Sequence, residues 1–239
     1  MSGVNALGQP LGARVDDWQP PARPPRTPME GRTCRVEPLD PARHGAALFT
    51  AYESASDDAN WTYLPYGPFE AEAHYLDWLE AECTGDDPHF HAVIDLESEQ
   101  PVGVASYLRI APDAGSIEVG HIHFSPKLQC TVASTEAMFL MMQRAFALGY
   151  RRYEWKCNAL NAPSRRAAQR LGFSYEGVFR QAGVYKGRNR DTAWYAMIDA
   201  EWPRLHAAFE AWLDPANFVD GVQQVSLTSL TAPILVARG

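Results

Sequence analysis

The stretch HFSPKLQCTVASTEAMFLMM, residues 123–142, decides the fold because a strand ends within it and a helix begins within it. Pro126 stops the strand, and a short polar stretch of small residues follows. From Ser134 onward apolar residues recur at helical spacing, and Gly149 ends the helix. The stretch therefore predicts a strand, a turn and an amphipathic helix in direct succession.

The start of this helix has no ordinary capping box. Ala133 stands three residues before Glu136, where a capping box needs Ser or Thr. The first N–H groups of a helix have no partner within the helix, and this end carries a partial positive charge. Two explanations stay open: Thr131 or Ser134 caps the helix without a reciprocal acid, or a phosphate binds the N–H groups.

The segments around the stretch predict an α/β fold with a mixed sheet. Three alternating runs precede it as an antiparallel meander, and RRYEWKC follows it as a strict alternation of apolar and charged residues. Asn161 as N-cap and Gly172 after the end mark a short helix between them. The predicted strands cover 33–40, 89–94, 101–110, 115–124, 151–157, 173–181 and 191–199, and the predicted helices cover 42–56, 70–83, 134–148, 162–171 and 204–213.

The two ends of the chain differ from this body. Six prolines lie among the first thirty residues, which excludes a helix or a central strand there and predicts an extended arm or a tail. The predicted organisation is an arm at 1–30, one domain at 31–205, and a C-terminal helix and tail at 206–239.

Composition narrows the function classes. The net charge of −8 argues against a nucleic-acid-binding surface and favours cationic partners such as amines. Four cysteines show no metal-ligand spacing and are expected to be reduced and mostly buried. The sequence has no signal peptide pattern and no apolar run of membrane-spanning length, so we expect a cytoplasmic protein without a membrane partner.

Three motifs in order carry a family resemblance. STEA at 134–137, NAPSRRAAQRLGF at 161–173 and GRNRDTAWYAMIDAEW at 187–202 follow the meander. Together they resemble the GNAT superfamily of acyl-CoA-dependent N-acetyltransferases, most closely its Rim-type branch, which includes enzymes that acetylate ribosomal protein N-termini. The resemblance covers about residues 33–205.

The resemblance implies a fold and a cofactor. The GNAT fold has a mixed central β-sheet of about seven strands, splayed between strands 4 and 5 and flanked by helices. Strands 4 and 5 are here EVGHIHF and RRYEWKC. Acetyl-CoA enters the gap between them and gives its acetyl group to a primary amine by direct attack. The acceptor is a small molecule or a peptide, and family members commonly form homodimers.

The cofactor site follows residue by residue from the family loop. Val132 stands where the loop pattern has a glycine, and a β-branched residue resists positive φ. Either the loop takes a conformation that valine tolerates, or phosphate binding is weakened. The predicted cofactor contacts are His123, Phe124, Gln129, Cys130, Thr131, Val132, Ala133, Ser134, Thr135 and Asn161.

Catalytic roles carry over to few positions. Many members have a glutamate at the position of Glu118 that deprotonates the amine through water, although an ion-paired carboxylate explains Glu118 equally well. His121 is a second candidate base. The usual acidic tyrosine is replaced by Ala168, so Ser164 is the implied proton donor to the thiolate, unless it is only a first-turn residue. Tyr185 and Tyr195 remain alternative donors.

The loop NWTYLPYGPF suits a cover over a substrate pocket, because it is irregular and aromatic. Trp61, Tyr63 and Tyr66 are candidates to enclose an amine, or else they form an aromatic cluster between the first two helices. Three arginines in the helix after Asn161 either meet the adenosine phosphates or form a solvated face: Arg165, Arg166 and Arg170.

Two rival functions remain. His89 and His91, and likewise His121 and His123, point in pairs to one side of their strands and could hold a metal if both pairs share a face. Alternatively, the domain binds acyl-CoA as a sensor without catalysis, since Val132 and Ala168 depart from the family pattern.

Overall fold

The computed structural model describes residues 2–239 and is built on one mixed sheet of eight strands. The predicted mixed α/β sheet is confirmed, and it has one strand more than the seven predicted because Met29–Glu30 adds an edge strand. The spatial order is β3-β4-β5-β6-β7-β8-β10-β9. These strands are β3 (Met29–Glu30), β4 (Cys34–Pro38), β5 (His89–Asp95), β6 (Gln100–Ala111), β7 (Ser116–Phe124), β8 (Arg152–Asn158), β9 (Ser174–Tyr185) and β10 (Arg188–Ile198).

Helices cover both faces of the sheet. Helices α1 (Pro41–Glu53) and α2 (Glu72–Glu82) pack on one face through an aromatic-rich cluster that includes Tyr52, Trp61 and Tyr75. Helices α3 (Val132–Ala147), α4 (Ala162–Arg170) and α5 (Trp202–Leu213) belong to the larger core cluster on the other face. In residues 2–239, no helix combines the length and the apolar character needed to cross a membrane.

The unit β7–α3–β8 holds the only parallel pair of neighbouring strands in the described part of the sheet. The paired residues run from Ser116 with Arg152 to Val119 with Trp155, and no pair follows in residues 2–239. A bulge in β7 contributes to the divergence: three residue steps on β7, from Gly120 to His123, span two on β6. The predicted splay between these two strands is therefore present.

The last two strands form a longer hairpin than the sequence predicted. They were expected at 173–181 and 191–199, but β9 and β10 pair through to Tyr185 and Arg188 around a tight turn at Lys186 and Gly187. Both turn residues have positive φ, +50° and +72°, as the turns favoured in two-residue hairpins require. The polar run GRNRD carries no strand pattern, so this extension was not predicted. The extended end of the hairpin lies beside the gap between β7 and β8.

The segment before β3 and the last residues of the chain both contact this body. β1 (Ser2–Val4) and β2 (Pro10–Ala13) form an exposed hairpin, and residues 14–28 run on without regular structure. The Arg144 guanidinium donates to the carbonyl groups of Thr27 and Pro28. At the other end, the N–H of Tyr175 donates to the carbonyl of Ala237. The tail between α5 and Ala237 contains three short elements: β11 (Phe218–Val219), β12 (Val222–Gln223) and α6 (Leu227–Thr231). The division into arm, domain and tail stays a prediction.

Because four histidines lie in or near the core, we predict that the protein loses stability in acid. Burial lowers the pKa of His89 and His121 to about 4, and of His91 and His123 to about 3. The unfolded chain takes up these protons below about pH 6.5, while the folded chain does not. We therefore expect full stability above about pH 6.5 and a fall of up to about 1.4 kcal/mol per pH unit for each histidine toward pH 4.

Urea denaturation at a series of pH values measures this effect. The exposed His74 supplies the control, because His74→Gln should leave the pH dependence unchanged. A free energy of unfolding that stays constant from about pH 7 to about pH 5 would contradict the expectation.

Candidate active site

The start of α3 is capped by its own threonine. Thr131 is the N-cap, and its Oγ1 accepts from the N–H of Ser134 at 3.1 Å while the Ser134 hydroxyl donates to the Thr131 carbonyl at 2.7 Å. This is the first of the two explanations left open by the sequence. It satisfies only one donor, because the N–H groups of Cys130, Val132 and Ala133 have no acceptor within residues 2–239. Free donors therefore remain at the helix start.

Val132 does not strain the loop. It is the first residue of α3, so its backbone is helical, and the positive φ of the loop falls on Cys130 at +61°. The conformation is therefore one that a β-branched residue tolerates. The departure from the family glycine leaves the helix start intact.

Glu136 lies too far along α3 to serve in a capping box, because the residue three positions after the N-cap Thr131 is Ser134. Its carboxylate is 6% exposed and accepts from the backbone N–H groups of Arg32 at 2.8 Å, Thr33 at 2.6 Å and Cys34 at 3.2 Å, and from the Thr33 hydroxyl. The acid thus holds the chain that leads into β4. The free N–H groups at the start of α3 therefore have no acidic side chain as an acceptor.

A cleft of about 1170 Å³ follows the gap between β7 and β8 and opens toward the start of α3. The predicted cofactor residues line it, with the exception of Ala133, whose side chain is buried in the core. The cleft is lined among others by His123, Phe124, Gln129, Cys130, Thr131, Val132, Ser134, Thr135 and Asn161. The sequence therefore located residues that line the cleft, and their contacts with a cofactor stay a prediction.

Glu118 lies in the cleft at the last stretch of pairing between β7 and β8. It is 3% exposed and forms ion pairs at 2.8 Å with Arg109 and with Lys156. Burial raises the pKa of Glu118, and the two cations oppose that rise. Glu118 is therefore ion-paired, as one interpretation of the sequence expected, and it lines the cleft; its role as a base stays a prediction.

Lys156 and Arg190 are cleft residues that the sequence analysis did not single out. Lys156 is also paired with Glu154 at 2.7 Å, and its ammonium lies 3.8 Å from the centre of the Trp194 ring. Arg190 stacks over Tyr185 at 4.4 Å. Alternation correctly put Lys156 on the polar side of β8. That side is buried only because the extended hairpin β9–β10 covers it.

His121 is neutral at pH 7 and is held by an aromatic neighbour. It sits in the bulge with φ +49°, and its Nδ1 lies 3.2 Å from the hydroxyl of Tyr66, whose ring stacks on it. With its pKa lowered to about 4 by burial and by Arg109 and Arg190, His121 is a weaker base than an ordinary imidazole.

Asn161 and Ser164 meet at the start of α4, on the β8 side of the cleft. The Asn161 side chain accepts from the N–H of Ser164 at 3.1 Å, which confirms its role as N-cap. The indole N–H of Trp155 donates to Ser164 Oγ at 3.1 Å. Because an indole can only donate, the Ser164 hydroxyl accepts this bond and keeps its own proton free to donate elsewhere. Of the alternative donors, Tyr185 lines the cleft, whereas Tyr195 is buried and accepts from Arg165.

The aromatic loop divides between core and cleft. Trp61 is buried among Tyr52, Tyr66 and His123 and does not line the cleft, so the geometry gives no support to its predicted contact with an amine. Tyr66 likewise lies outside the lining and contacts His121. Tyr63 lines the cleft and stays a predicted substrate contact.

Only one of the three arginines of α4 reaches the cleft. Arg170 lines it and donates to Thr135 Oγ1 at 3.1 Å, close to the start of α3. Arg165 is turned away and bonds to Tyr195 and to the Ala159 carbonyl. Arg166 is exposed to solvent, as the solvated-face interpretation expected.

The four-histidine metal site is excluded by the faces of the sheet. His91 packs against Tyr107, which bonds to the Met141 carbonyl in α3, whereas His123 stacks on Tyr52 of α1. The two pairs therefore lie on opposite faces, and their lone pairs cannot meet at one ion. In the part of the chain that the structure describes, no group of three His, Cys, Asp or Glu side chains is placed to hold a metal.

A splayed pair of parallel strands, with free helix N–H groups at the open end, is what the family resemblance implied. The family model for the acetyltransferase (GNAT) domain matches residues 35–174, which is more than half of the chain. The chain belongs to the GNAT family of acetyltransferases. No curated protein matches the chain.

Solved GNAT structures agree with this membership. A GCN5-related N-acetyltransferase from Brucella melitensis is 46% identical, with a TM-score of 0.89 over 91% of this chain and 100% of that one. A GNAT-family protein from Chromobacterium violaceum ATCC 12472 is 42% identical, with a TM-score of 0.76 over 81% of this chain and 97% of that one. RimL, a ribosomal L7/L12 alpha-N-protein acetyltransferase, is 19% identical with a TM-score of 0.59, over 72% of this chain and 93% of that one, and shares the fold.

Proposed function

We propose that this GNAT protein transfers the acetyl group of acetyl-CoA to a primary amine by direct attack. The observation that carries the proposal is the continuity of one cleft, from the free N–H groups at the start of α3, through the gap between β7 and β8, to the Glu118 carboxylate. The first feature suits a pyrophosphate, the second an extended thiol arm, and the third a reacting amine.

The residues that would hold acetyl-CoA fit its chemistry. The N–H groups of Val132 and Ala133 are free at the positive end of α3, and the Arg170 guanidinium lies beside Thr135. Where pairing between β7 and β8 stops after Val119, backbone groups become available to an amide-containing arm. When bound, acetyl-CoA supplies the activated acyl group.

Glu118 is proposed as the base that takes the amine proton, directly or through water. An α-amine with a pKa near 8 is about one-tenth neutral at pH 7, so a weak base is sufficient. The ionised carboxylate is held by Arg109 and Lys156, which also place positive charge near the amine and favour its neutral form.

Ser164 is proposed as the group that protonates the departing thiolate. Trp155 fixes its oxygen as an acceptor, so the hydroxyl proton is directed elsewhere. Cys130 is exposed in the loop before α3, away from the expected thioester, so no covalent cysteine intermediate is proposed.

Calorimetry and a free-thiol assay test the function. We expect micromolar binding of acetyl-CoA and release of thiol with at least one amine of a broad panel. Binding without turnover across the panel would favour the alternative function, an acyl-CoA sensor. Absence of binding would exclude both functions.

Arg170→Gln should weaken acetyl-CoA binding by about tenfold, because a charge-assisted contact with phosphate is lost. Arg166→Gln is the matched control, since it removes the same charge from the same helix outside the cleft. Calorimetric titration of both variants measures the difference. Equal affinities would remove Arg170 from the cofactor site.

The Rim-type branch is proposed on the order of the three sequence motifs and on the shared fold with RimL. RimL itself is a ribosomal L7/L12 alpha-N-protein acetyltransferase. For this chain the acceptor is proposed only as a primary amine of a small molecule or a peptide, and a homodimer stays a prediction.

A further inference from the structure

The cleft carries a charge opposite to that of the chain. The whole sequence has a net charge of −8, but the charged side chains that line the cleft are four cations and one carboxylate, namely Arg109, Lys156, Arg170, Arg190 and Glu118. A cleft lined by one sign of charge concentrates ligands of the other sign. The field inside the cleft therefore favours an anion.

Three of these cations have a role already. Arg109 and Lys156 share the Glu118 carboxylate, and Lys156 is paired with Glu154 as well. Arg170 lies near the start of α3, on the side proposed for the cofactor phosphates. None of these three accounts for the charge at Arg190.

Arg190 has no counter-ion in the described part of the chain. Its Nε is buried without a hydrogen-bond partner, and its guanidinium lies 4.4 Å from the centre of the Tyr185 ring. An arginine that loses water needs an anionic partner or hydrogen-bond acceptors. The guanidinium fork matches a carboxylate or a phosphate, which accept two parallel bonds.

The hairpin turn and the aromatic loop cover the side of the cleft that contains Arg190. Lys186, in the hairpin turn between β9 and β10, donates to the Trp61 carbonyl at 2.8 Å, and the Tyr63 hydroxyl donates to the Leu160 carbonyl at 3.3 Å. The hairpin and the aromatic loop thus meet above the sheet. This contact narrows the cleft on the side of Arg190, which favours a small acceptor.

We infer that the acceptor is a small primary amine that carries its own carboxylate or phosphate, and that Arg190 binds this anion. The inference rests on the proposed acetyl transfer. With the anion at Arg190, the amine of the same molecule would occupy the cleft that Glu118 also lines.

Matched acceptors test this inference in the free-thiol assay. Each amino acid is compared with its own amide, and phosphoethanolamine with ethanolamine, so that each pair differs in the anion. For the preferred acceptor we expect kcat/KM to exceed that of its neutral partner by about 10- to 100-fold. Loss of the anion lowers the amine pKa and makes the neutral partner intrinsically more reactive, so this preference must come from the site.

Arg190→Gln should bring the ratio of kcat/KM values for the pair close to one. Arg188→Gln, on the same strand but exposed and outside the cleft, should keep the wild-type ratio. Unchanged acetyl-CoA binding by both variants shows that they fold. A larger effect with the amino acids identifies a carboxylate, and a larger effect with phosphoethanolamine identifies a phosphate.

Neutral amines acetylated as well as their anionic partners would overturn the inference and leave acetyl transfer standing. Absence of acetyl-CoA binding would instead remove the proposed function. If acetyl-CoA binds but no amine turns over, calorimetric titration of the same pairs decides: equal binding of the charged and neutral members overturns the inference, and selective binding of the charged member supports it.

Discussion

Glu118→Gln is expected to lower kcat by about 100-fold to 10⁴-fold while acetyl-CoA still binds, because the amide cannot accept the amine proton. The fold should tolerate the change. Lys156 keeps its second partner Glu154 at 2.7 Å, and the Arg109 side chain is 57% exposed and thus hydrated. The substitution therefore removes the proposed base without leaving a buried charge unpaired.

The pH profile separates a catalytic role for Glu118 from a structural one. Burial raises the pKa of this carboxyl, and only the ionised form is a base, so wild-type kcat should decline as the pH falls through that raised pKa. The glutamine variant should lack this decline. Glu176→Gln is the control, because Glu176 pairs with Arg152 outside the cleft and its side chain is 40% exposed. Full activity of Glu118→Gln across pH would remove Glu118 from the mechanism.

Glu136→Ala is expected to lower the free energy of unfolding by about 3–5 kcal/mol, since it orphans several buried donors at once. The backbone N–H groups of Arg32, Thr33 and Cys34 have this carboxylate as their acceptor. Alanine cannot accept these bonds, and water reaches a site that is 6% exposed only poorly.

Urea denaturation of the variant measures the loss. Glu80→Ala is the matched control, because Glu80 is an exposed helical glutamate on α2, and its replacement should change stability by less than about 0.5 kcal/mol. A loss of less than about 1 kcal/mol for Glu136→Ala would show that the 31–34 segment finds other partners.

Local rules predicted most of the elements. Alternation located β5 to β8, and Asn161 and Gly172 correctly bounded α4, because these signals depend on neighbours within a few residues. The strand at Met29–Glu30 and the turn end of the β9–β10 hairpin, residues 182–185 and 188–190, were missed. Both are short or polar segments that become strands only through pairing with a distant partner.

The site was predicted less completely than the fold for the same reason. The cleft-lining loop before α3 is contiguous in sequence, so a family pattern could mark it. The charge balance at Lys156 and Arg190 depends on which side chains face each other across β7, β8 and the hairpin. The bulge at His121 also shifts the alternation of β7, and no residue type at that point announces a bulge.

The bond between Glu136 and the 31–34 segment has a consequence for how the protein tolerates shortening. Glu136 lies about one turn from the start of α3, where negative charge would compete with a phosphate ligand. The Glu136 carboxylate instead accepts hydrogen bonds from backbone N–H groups in the first part of the chain. A truncation past residue 33 would release that carboxylate, and acetyl-CoA affinity would then depend on whether residues far from the cleft in sequence had been kept.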